Sequence, residues 1–468
     1  MGEGAPAVDV SGLAYSSLSV EAGDVFFCVR GFRADGHDFA ADAVARGAVA
    51  LVCERPLGLG VPEVLVPDAR AAMAAAAARF FGDPTRTLDV VGITGTNGKT
   101  TTAFLTHAIL GKADRPTGLL GTVTSIVGGR EEPVERTTPE AIDLQRTFRR
   151  MLDAGDSACA MEVSSHALEL RRTDGIRFAC RVFTNLTQDH LDFHPSMEAY
   201  FRAKRTLFGG PGASVVNVDD DYGVRLVDEL PDAVTYAIHA EADYRAVDVE
   251  FDAAGAAFTC ATPDGEIAMT TRLPGLFNVS NALAATATAR ALDVPLETIA
   301  AALAEADRVP GRFEPVDEGQ PFAVLVDYAH TPDSLRNVLR AAREVTRGRL
   351  HVVFGAGGDR DQGKRPLMGA VASELADRVI VTSDNTRSED PEAIVDQVLA
   401  GAGPDAEREV DRRRAIHHAI ETAEAGDVVV IAGKGHEQGQ EFAGGRKEPF
   451  DDVTVAREAL HSALGARG

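Results

Sequence analysis

Cysteine is scarce, with five in 468 residues, at Cys28, Cys53, Cys159, Cys180 and Cys260. They are odd in number, scattered and mostly set among apolar neighbours, and no two form a C-x-x-C pair. Neither a disulfide framework nor a cysteine-held zinc site is expected from that pattern. Basic residues are also in deficit: 47 Lys and Arg stand against 71 Asp and Glu, a formal net charge of −24. Such a chain has no general electrostatic grip on nucleic acid or anionic lipid, so neither is an expected partner. An anionic ligand must instead be held locally, by backbone N–H groups, a few cations or a metal. No apolar run approaches the ~20 residues of a membrane span, and the start, MGEGAPAVDV, lacks a basic stretch followed by an apolar one. What remains is ordinary for a globular protein, 45% hydrophobic and 25% charged. A soluble, cytoplasmic enzyme of about three domains, roughly 100–200 residues each, is the expectation.

Two breaks rich in glycine and proline divide the sequence. Before the first, VFFCV and ALVCE have strand length, and DARAAMAAAAARFFG predicts an alanine-rich helix closed by Gly82. GDPTRTLD, with Gly82, Asp83 and Pro84, reads as a linker. The strand LDVVGIT then opens a second domain holding ACAMEV, RVFTNL and SVVNV as strands and VSNALAATATARAL as a helix. VPGRFEPV marks the second break. Beyond it AVLVDYAH, LHVVFGAGG, RVIVTSDN and DVVVIAGKG alternate with helical stretches such as SLRNVLRAAREV and PEAIVDQVLA, which predicts a parallel, doubly wound sheet. The expected α/β domains are residues 1–86, 87–309 and 310–468. Each of those four strands runs into a polar cluster: Asp327/His330, Asp359/Arg360, Asp384/Asn385/Arg387 and Lys434/His436/Glu437. Ligands in such sheets sit at the carboxyl ends of the strands.

After LDVVGIT comes Gly95-Thr96-Asn97-Gly98-Lys99-Thr100-Thr101 and then a helical run. The spacing departs from strict G-x-x-x-x-G-K-[ST] at Ile93, yet glycines remain at 92, 95 and 98. Small residues let successive N–H groups curl around phosphate oxygens, and the helix start adds positive dipole. Lys99 reaches the terminal phosphates, and Thr100 or Thr101 offers a hydroxyl to Mg²⁺. The pattern reads as a nucleotide site. The plain alternative is a glycine turn ahead of an ordinary helix.

The chain resembles the Mur ligase superfamily, and within it the enzymes that add the third residue of the peptidoglycan stem peptide. GTNGKT carries the likeness together with TTPE (137–140), EVSSHAL (162–168), NLTQDHLDFH (185–194), YFRAKRTLF (200–208) and LPGLFNVSNALAA (273–285). GRFE (311–314), DYAHTPDSL (327–335) and GGDRDQGKRPLM (357–368) complete it. The resemblance implies three domains, in order a UDP-binding unit, a P-loop ATP-binding unit and a Rossmann-like unit for the incoming amino acid. It implies a monomer acting on UDP-MurNAc-L-Ala-D-Glu with ATP and Mg²⁺. ATP phosphorylates the D-Glu γ-carboxylate, and an amine attacks the acyl phosphate.

The resemblance also assigns residues. Lys99, Glu162, His190 and Lys204 are implied in catalysis. Thr100, Glu162, His190 and Lys204 are implied in holding Mg²⁺, Lys204 as the carbamate N6-carboxylysine. A carbamate needs a neutral amine, which burial favours; an unmodified lysine in that helix ordinarily snorkels to solvent. Asp189, Asp192 and His194 of the same loop are read as ligands or as turn formers. Gly95 to Thr101, Asn278, Asn281, Arg312, Asp327 and His330 are implied in binding ATP. Thr137, Thr138, Ser164, Arg172, Lys204 and Ser17 are implied in binding the UDP-MurNAc-dipeptide, with Gly23 and the loop GFRADGHDF (31–39) as further candidates. TTPE also suits helix capping. Leu170 stands where many members have glutamine, and Ser16-Ser17-Leu18 where Asp-Ser-Arg is common. Lys364 and Arg365 read as surface charge.

A D-N-P-R loop and the Glu of GKGHE accompany diaminopimelate in the family. Here Asp384-Asn385-Thr386-Arg387 and Gly433 to Glu437 match them, with Thr386 in place of the proline. Arg387, helped by Arg360, is implied in holding the distal carboxylate and Glu437 the distal ammonium, beside Asp384, Asn385 and Gly433. The plain reading of Arg387 is a loop charge before a helix capped by Asp390. Rival functions are the same ligase adding lysine or another diamino acid, a Mur-like ligase of another pathway such as a folylpolyglutamate synthetase, a P-loop ATPase switch, and a scaffold. TTPE, EVSSHAL and GKGHE speak against another pathway, the polar strand ends against a switch, and intact Lys99 and Thr100 against a scaffold.

Overall fold

The computed structural model describes residues 8–31, 34–252 and 254–467. Phe32 and Arg33 of the GFRADGHDF loop lie outside the described residues. Packing divides the chain into two compact units. One comprises residues 1–92, 115–180 and 206–212, and the other comprises 93–114, 181–205 and 213–468.

The first unit begins with four parallel strands in chain order, Gly12–Ala14, Asp24–Phe27, Ala50–Cys53 and Glu63–Leu65. The alanine-rich helix Ala69–Phe80 follows, capped by the Asp68 carboxylate accepting from the Ala71 N–H at 2.9 Å. Its small side chains let it pack closely, and its core continues into Ala141 and Ile142 of the helix Ala141–Asp153. That shared core is why the N-terminal segment packs as one body with part of the chain beyond residue 87. The expected linker is not slack. Pro84–Arg86 form a 3₁₀ turn with Pro84 and Thr85 buried, and Thr85 Oγ1 accepts from the Arg177 N–H at 3.1 Å. Strand Ala158–Glu162 pairs in parallel with Thr117–Leu120, which also pairs antiparallel with Ser125–Val127.

The strand Asp89–Thr94 enters the second unit and feeds the helix Lys99–Lys112. Helix Leu276–Ala291 packs on that helix, and from Ala282 to Ala289 it is buried on every side. Strands Ala213–Asn217, Val234–Ala237 and Tyr244–Asp252 run parallel, then Gly255–Thr262 and Gly265–Thr271 turn back antiparallel. The C-terminal sheet runs in the order Glu314–Pro315, Ala323–Asp327, Val428–Ala432, Leu350–Phe354, Arg378–Val381, Glu407–Arg408. Every pair but the first is parallel. Separate apolar cores cover its two faces, one under helices Pro332–Val345 and Lys364–Leu375, the other under Arg412–Glu421 and the C-terminal helix from Asp452. This is the doubly wound sheet that the alternating pattern predicts, and the four polar clusters follow its strand ends.

Candidate active site

The loop after Thr94 is held by the strand end at 184–187. Thr96 N–H donates to Asn185 O at 2.9 Å, Asn97 N–H to Asn185 Oδ1 at 2.9 Å, and Thr187 N–H to Thr96 Oγ1 at 3.0 Å. A side chain at 95 would collide with Thr184 Oγ1 and one at 98 with Asn281 Oδ1, and Gly98 sits at φ +85°. Glycine is therefore required twice, and with the Thr96 and Asn97 N–H groups tied to Asn185 the loop is braced where it enters the helix Lys99–Lys112. Lys99 Nζ donates to the carbonyls of Gly95 and Thr96 at 2.9 and 2.8 Å. Lys204 Nζ donates to the same Gly95 carbonyl at 2.8 Å. Lys204 does not snorkel to solvent: it is 1% exposed, against the Tyr200 ring. Burial, and then the nearby charge of Lys99, hold its amine well below the ordinary lysine range, against a smaller opposing pull from Asp189.

Asp189 is a hub rather than a turn former. Lys364 Nζ lies 3.3 Å from its Oδ1, while His190 and His330 Nε2 lie 3.3 and 3.7 Å from its Oδ2. Burial alone would raise the Asp189 carboxyl; Lys364, His330 and His190 outweigh it and hold the group well below the usual range. His194 is buried and stacks on Tyr200, and Asp192 is exposed. Arg312 lies on the Tyr328 ring and donates to Thr100 Oγ1 at 2.9 Å. Asp327 is turned inward, its oxygens accepting from the Phe313 and Ala329 N–H groups at 2.7 and 2.8 Å. Asn278 and Asn281 are also buried, the second bonded to the first at 3.2 Å and reached by Thr102 Oγ1. Asn281, held by Asn278, thus braces the phosphate loop at Gly98, while Asp327 holds the segments at Phe313 and Ala329.

In the first unit two segments, at Thr122 and at Thr138, meet Glu162 at the end of its strand. Its carboxylate accepts from Thr122 N–H at 2.7 Å and Thr122 Oγ1 at 3.1 Å, and that hydroxyl meets Thr137 Oγ1 at 3.1 Å. Thr138 does not cap the following helix, whose N-cap is Glu140 without a side-chain bond. Thr138 Oγ1 instead donates to Glu162 O at 2.9 Å and accepts from Ser164 N–H at 3.1 Å. Ser164 does cap its own short helix. Arg172 NH1 donates to Thr138 O at 3.1 Å, and Arg70 and Arg172 both pair with the buried Glu140. Ser17 is buried in the turn Ser17–Ser19.

At the C-terminal sheet the expected amino-acid residues form two groups. Asn385 Nδ2 donates to Glu437 Oε2 at 2.8 Å, and the buried Lys434 ammonium donates to Asn385 Oδ1 at 3.0 Å and Glu437 Oε2 at 2.8 Å. Asp384 lies against Gly433, where a side chain would collide with it. Burial would raise the Asp384 carboxyl, but Lys434 and Arg412 hold it down. In the second group Arg387 NH1 donates to Gly358 O at 2.7 Å and Nε to Glu441 Oε2 at 3.2 Å. Gly357 lies between Arg387 and the exposed Arg360. Asp390 caps the next helix with Pro391 at its first position, as the sequence suggests.

Residues 93–289 match the Mur ligase middle domain, 311–435 the Mur ligase glutamate ligase domain and 9–81 the Mur ligase family catalytic domain. The chain belongs to the Mur ligase family. It is 50% identical, over 97% of its length and 95% of the relative's, to UDP-N-acetylmuramoyl-L-alanyl-D-glutamate–2,6-diaminopimelate ligase of Geobacillus kaustophilus (strain HTA426). It is 48% identical over 97% and 94% to the protein of that name in Gloeobacter violaceus (strain ATCC 29082 / PCC 7421). A solved structure of a ligase with this name superposes with TM-score 0.70 at 34% identity, covering 97% of this chain and 95% of that one. MurF from Thermotoga maritima in complex with ADP shares the fold, with TM-score 0.65 at 19% identity, over 97% and 98% of the two chains. The three-domain α/β architecture expected of a Mur ligase is thereby established.

Sequence reasoning misjudged or missed several residues of this Mur ligase. Lys364 and Arg365 are not surface charges. Lys364 pairs with Asp189, and the fully buried Arg365 forms a two-pronged pair with Glu389, 2.8 Å on each side. The missed residues are Gln440, Glu441, Arg412 and Asp452. Their partners lie 20 to 57 positions away, and no local motif marks them. Among the described residues no three His, Cys, Asp or Glu side chains cluster as a metal site, and no helix is long and apolar enough to cross a membrane.

Proposed function

We propose that the protein is an ATP-dependent ligase joining diaminopimelate to UDP-N-acetylmuramoyl-L-alanyl-D-glutamate in peptidoglycan precursor synthesis, working as a cytoplasmic monomer with domains 1–86, 87–309 and 310–468. The observation that carries this reading is agreement along the whole chain with relatives named for that one activity. A D-Glu γ-carboxylate oxygen attacks the γ-phosphorus, the bond to ADP breaks, and an acyl phosphate forms. The amine nitrogen then attacks the acyl carbon, phosphate leaves, and the nitrogen loses its proton.

In this reading Lys99 turns from the Gly95 and Thr96 carbonyls to the terminal phosphates, within the loop Gly95 to Thr101 assigned to ATP and beside the cation of Arg312. His330, Asn278, Asn281 and Asp327 shape the rest of the ATP site. Mg²⁺, when bound, draws charge off the two approaching anions; Thr100, Glu162, His190 and carbamylated Lys204 are the residues assigned to it. The oxygens fit a hard cation. Thr100 accepts one hydrogen bond and keeps a lone pair, and the Glu162 carboxylate keeps several. The Lys204 ammonium does not fit, but its depressed pKa favours the neutral amine, whose nitrogen attacks CO₂ and loses a proton to give anionic oxygen ligands. Ser17, Thr137, Thr138, Ser164 and Arg172 are assigned to the UDP-MurNAc-dipeptide. Arg360, Asp384, Asn385, Arg387, Gly433 and Glu437 are assigned to diaminopimelate. Product mass after incubation with the UDP-dipeptide, ATP and a panel of amino acids tests the reading. Ligation of diaminopimelate with release of ADP, absent in a folded Lys99→Ala variant, is expected. Preference for lysine, or normal turnover by that variant, defeats it.

A further inference from the structure

Residues 382–386 leave their strand without regular structure, and Arg387 at their end takes φ +49°, a conformation that an arginine holds only when its surroundings impose it. The constraint comes from a distant strand, Gly439–Glu441, part of a small hairpin closed on Lys447–Pro449. Gln440 Nε2 donates to Ser383 Oγ and to Asp384 O, both at 3.0 Å, and Glu441 N–H donates to Asn385 Oδ1 at 2.9 Å. Arg387 N–H donates to Glu441 O at 3.0 Å and Arg387 Nε to Glu441 Oε2 at 3.2 Å. These five bonds tie the loop to the hairpin over its whole length.

The guanidinium is fixed at two corners, Nε by Glu441 and NH1 by the Gly358 carbonyl, which sets its plane. Its NH2 group has no hydrogen-bond partner among the described residues and is left to present two N–H donors. We propose that Gly439–Glu441 is a splint for the loop 383–387, and that Gln440 and Glu441 are positioning residues that aim Arg387 at the distal carboxylate of the amine substrate. The inference rests on the assignment of Arg387 above and goes beyond it. Selectivity for a diamine with a second carboxylate depends on a segment more than 50 residues away in sequence, which does not itself meet the substrate.

The test is steady-state kinetics with meso-diaminopimelate and with lysine for wild type, Arg387→Ala, Gln440→Ala, Glu441→Ala, Glu441→Gln and the double variant Glu441→Ala/Thr386→Pro. Glu441→Ala is expected to raise KM for diaminopimelate about tenfold, the size of effect that follows loss of one charge-assisted hydrogen bond to the distal carboxylate, with kcat and KM for ATP within about twofold. Preference over lysine falls by the same factor. Glu441→Gln keeps an oxygen for Nε and loses less. Thr386 N–H donates no hydrogen bond among the described residues, so proline there removes backbone freedom without a lost bond, and the double variant regains part of the preference. An unchanged or lower KM in Glu441→Ala, or equal losses for both amines, overturns the splint. If Arg387→Ala loses the preference while Gln440→Ala and Glu441→Ala keep it, only the splint fails. If wild type prefers lysine, the amine-site assignment fails and the splint with it.

Discussion

Two ammonium groups, those of Lys99 and Lys204, converge on the single carbonyl of Gly95, and only one of them reaches solvent with any ease. Repulsion and burial act together on the inner one, so the amine of Lys204 gives up its proton far more readily than an ordinary lysine. The sign of the pH effect follows. The unfolded chain binds a proton at Lys204 over a range in which the folded chain does not, so the burial of this lysine weakens folding as pH falls below about 10.4. Lys204→Met is therefore expected to raise the thermal midpoint at neutral pH while abolishing ligation. Lys204→Ala should be inactive and partly rescued by acetate, since a small carboxylate can occupy the vacated volume. Wild-type activity should fall when CO₂ and bicarbonate are stripped from the assay. A Lys204→Met protein that melts lower than wild type, or an Ala variant blind to acetate, contradicts this account of the site.

Among the elements of the C-terminal domain, two buried pairs, Arg412–Asp452 and His351–Asp427, have different consequences. Arg412 Nε and NH2 meet the Asp452 carboxylate at 2.8 and 2.7 Å with both side chains fully buried, joining the start of helix Arg412–Glu421 to that of the C-terminal helix. Removing one partner strands a charge, so Asp452→Ala should cost about 3–5 kcal/mol in urea unfolding, while Arg412→Met with Asp452→Leu should cost far less. On strand Leu350–Phe354, His351 Nε2 lies 3.0 Å from Asp427 Oδ2, and burial lowers the imidazole pKa despite that carboxylate. A lowered folded value means that the unfolded state gains the proton first as pH drops below about 6.5. Stability should thus decline from pH 7 towards 5, and His351→Phe should flatten that part of the profile. The strands and helices of this sheet were legible because apolar runs of strand length alternate with helical periodicity, and the phosphate loop because its chemistry is local. Lys364 and Arg365 were not, since G-K-R-P looks the same whether its cations face water or Asp189 and Glu389. Nor was the hairpin from Gly439, whose role lies in bonds to residues more than 50 positions back.

Over the whole molecule, charge and function pull in opposite directions, and the structure resolves this locally. A chain at −24 is proposed to bind anions, and cations stand beside residues assigned to them: Lys99 and Arg312 at the phosphate loop, and Arg70 and Arg172 around one carboxylate, Glu140. The composition required such local cations, but their partners became visible only in the fold. Cysteine follows a different rule. All five are buried, Cys28, Cys53, Cys159 and Cys180 in one compact unit and Cys260 in the other. Burial pushes the thiols of Cys28 and Cys260 up to about 12, so at these two sites the reactive thiolate is almost absent. The native protein should therefore be nearly silent towards maleimide, each alkylation waiting on an opening of the segment that hides it. Peptide masses taken along a labelling time course would then read as two clocks, Cys260 timing one body of the protein and the other four cysteines timing its neighbour.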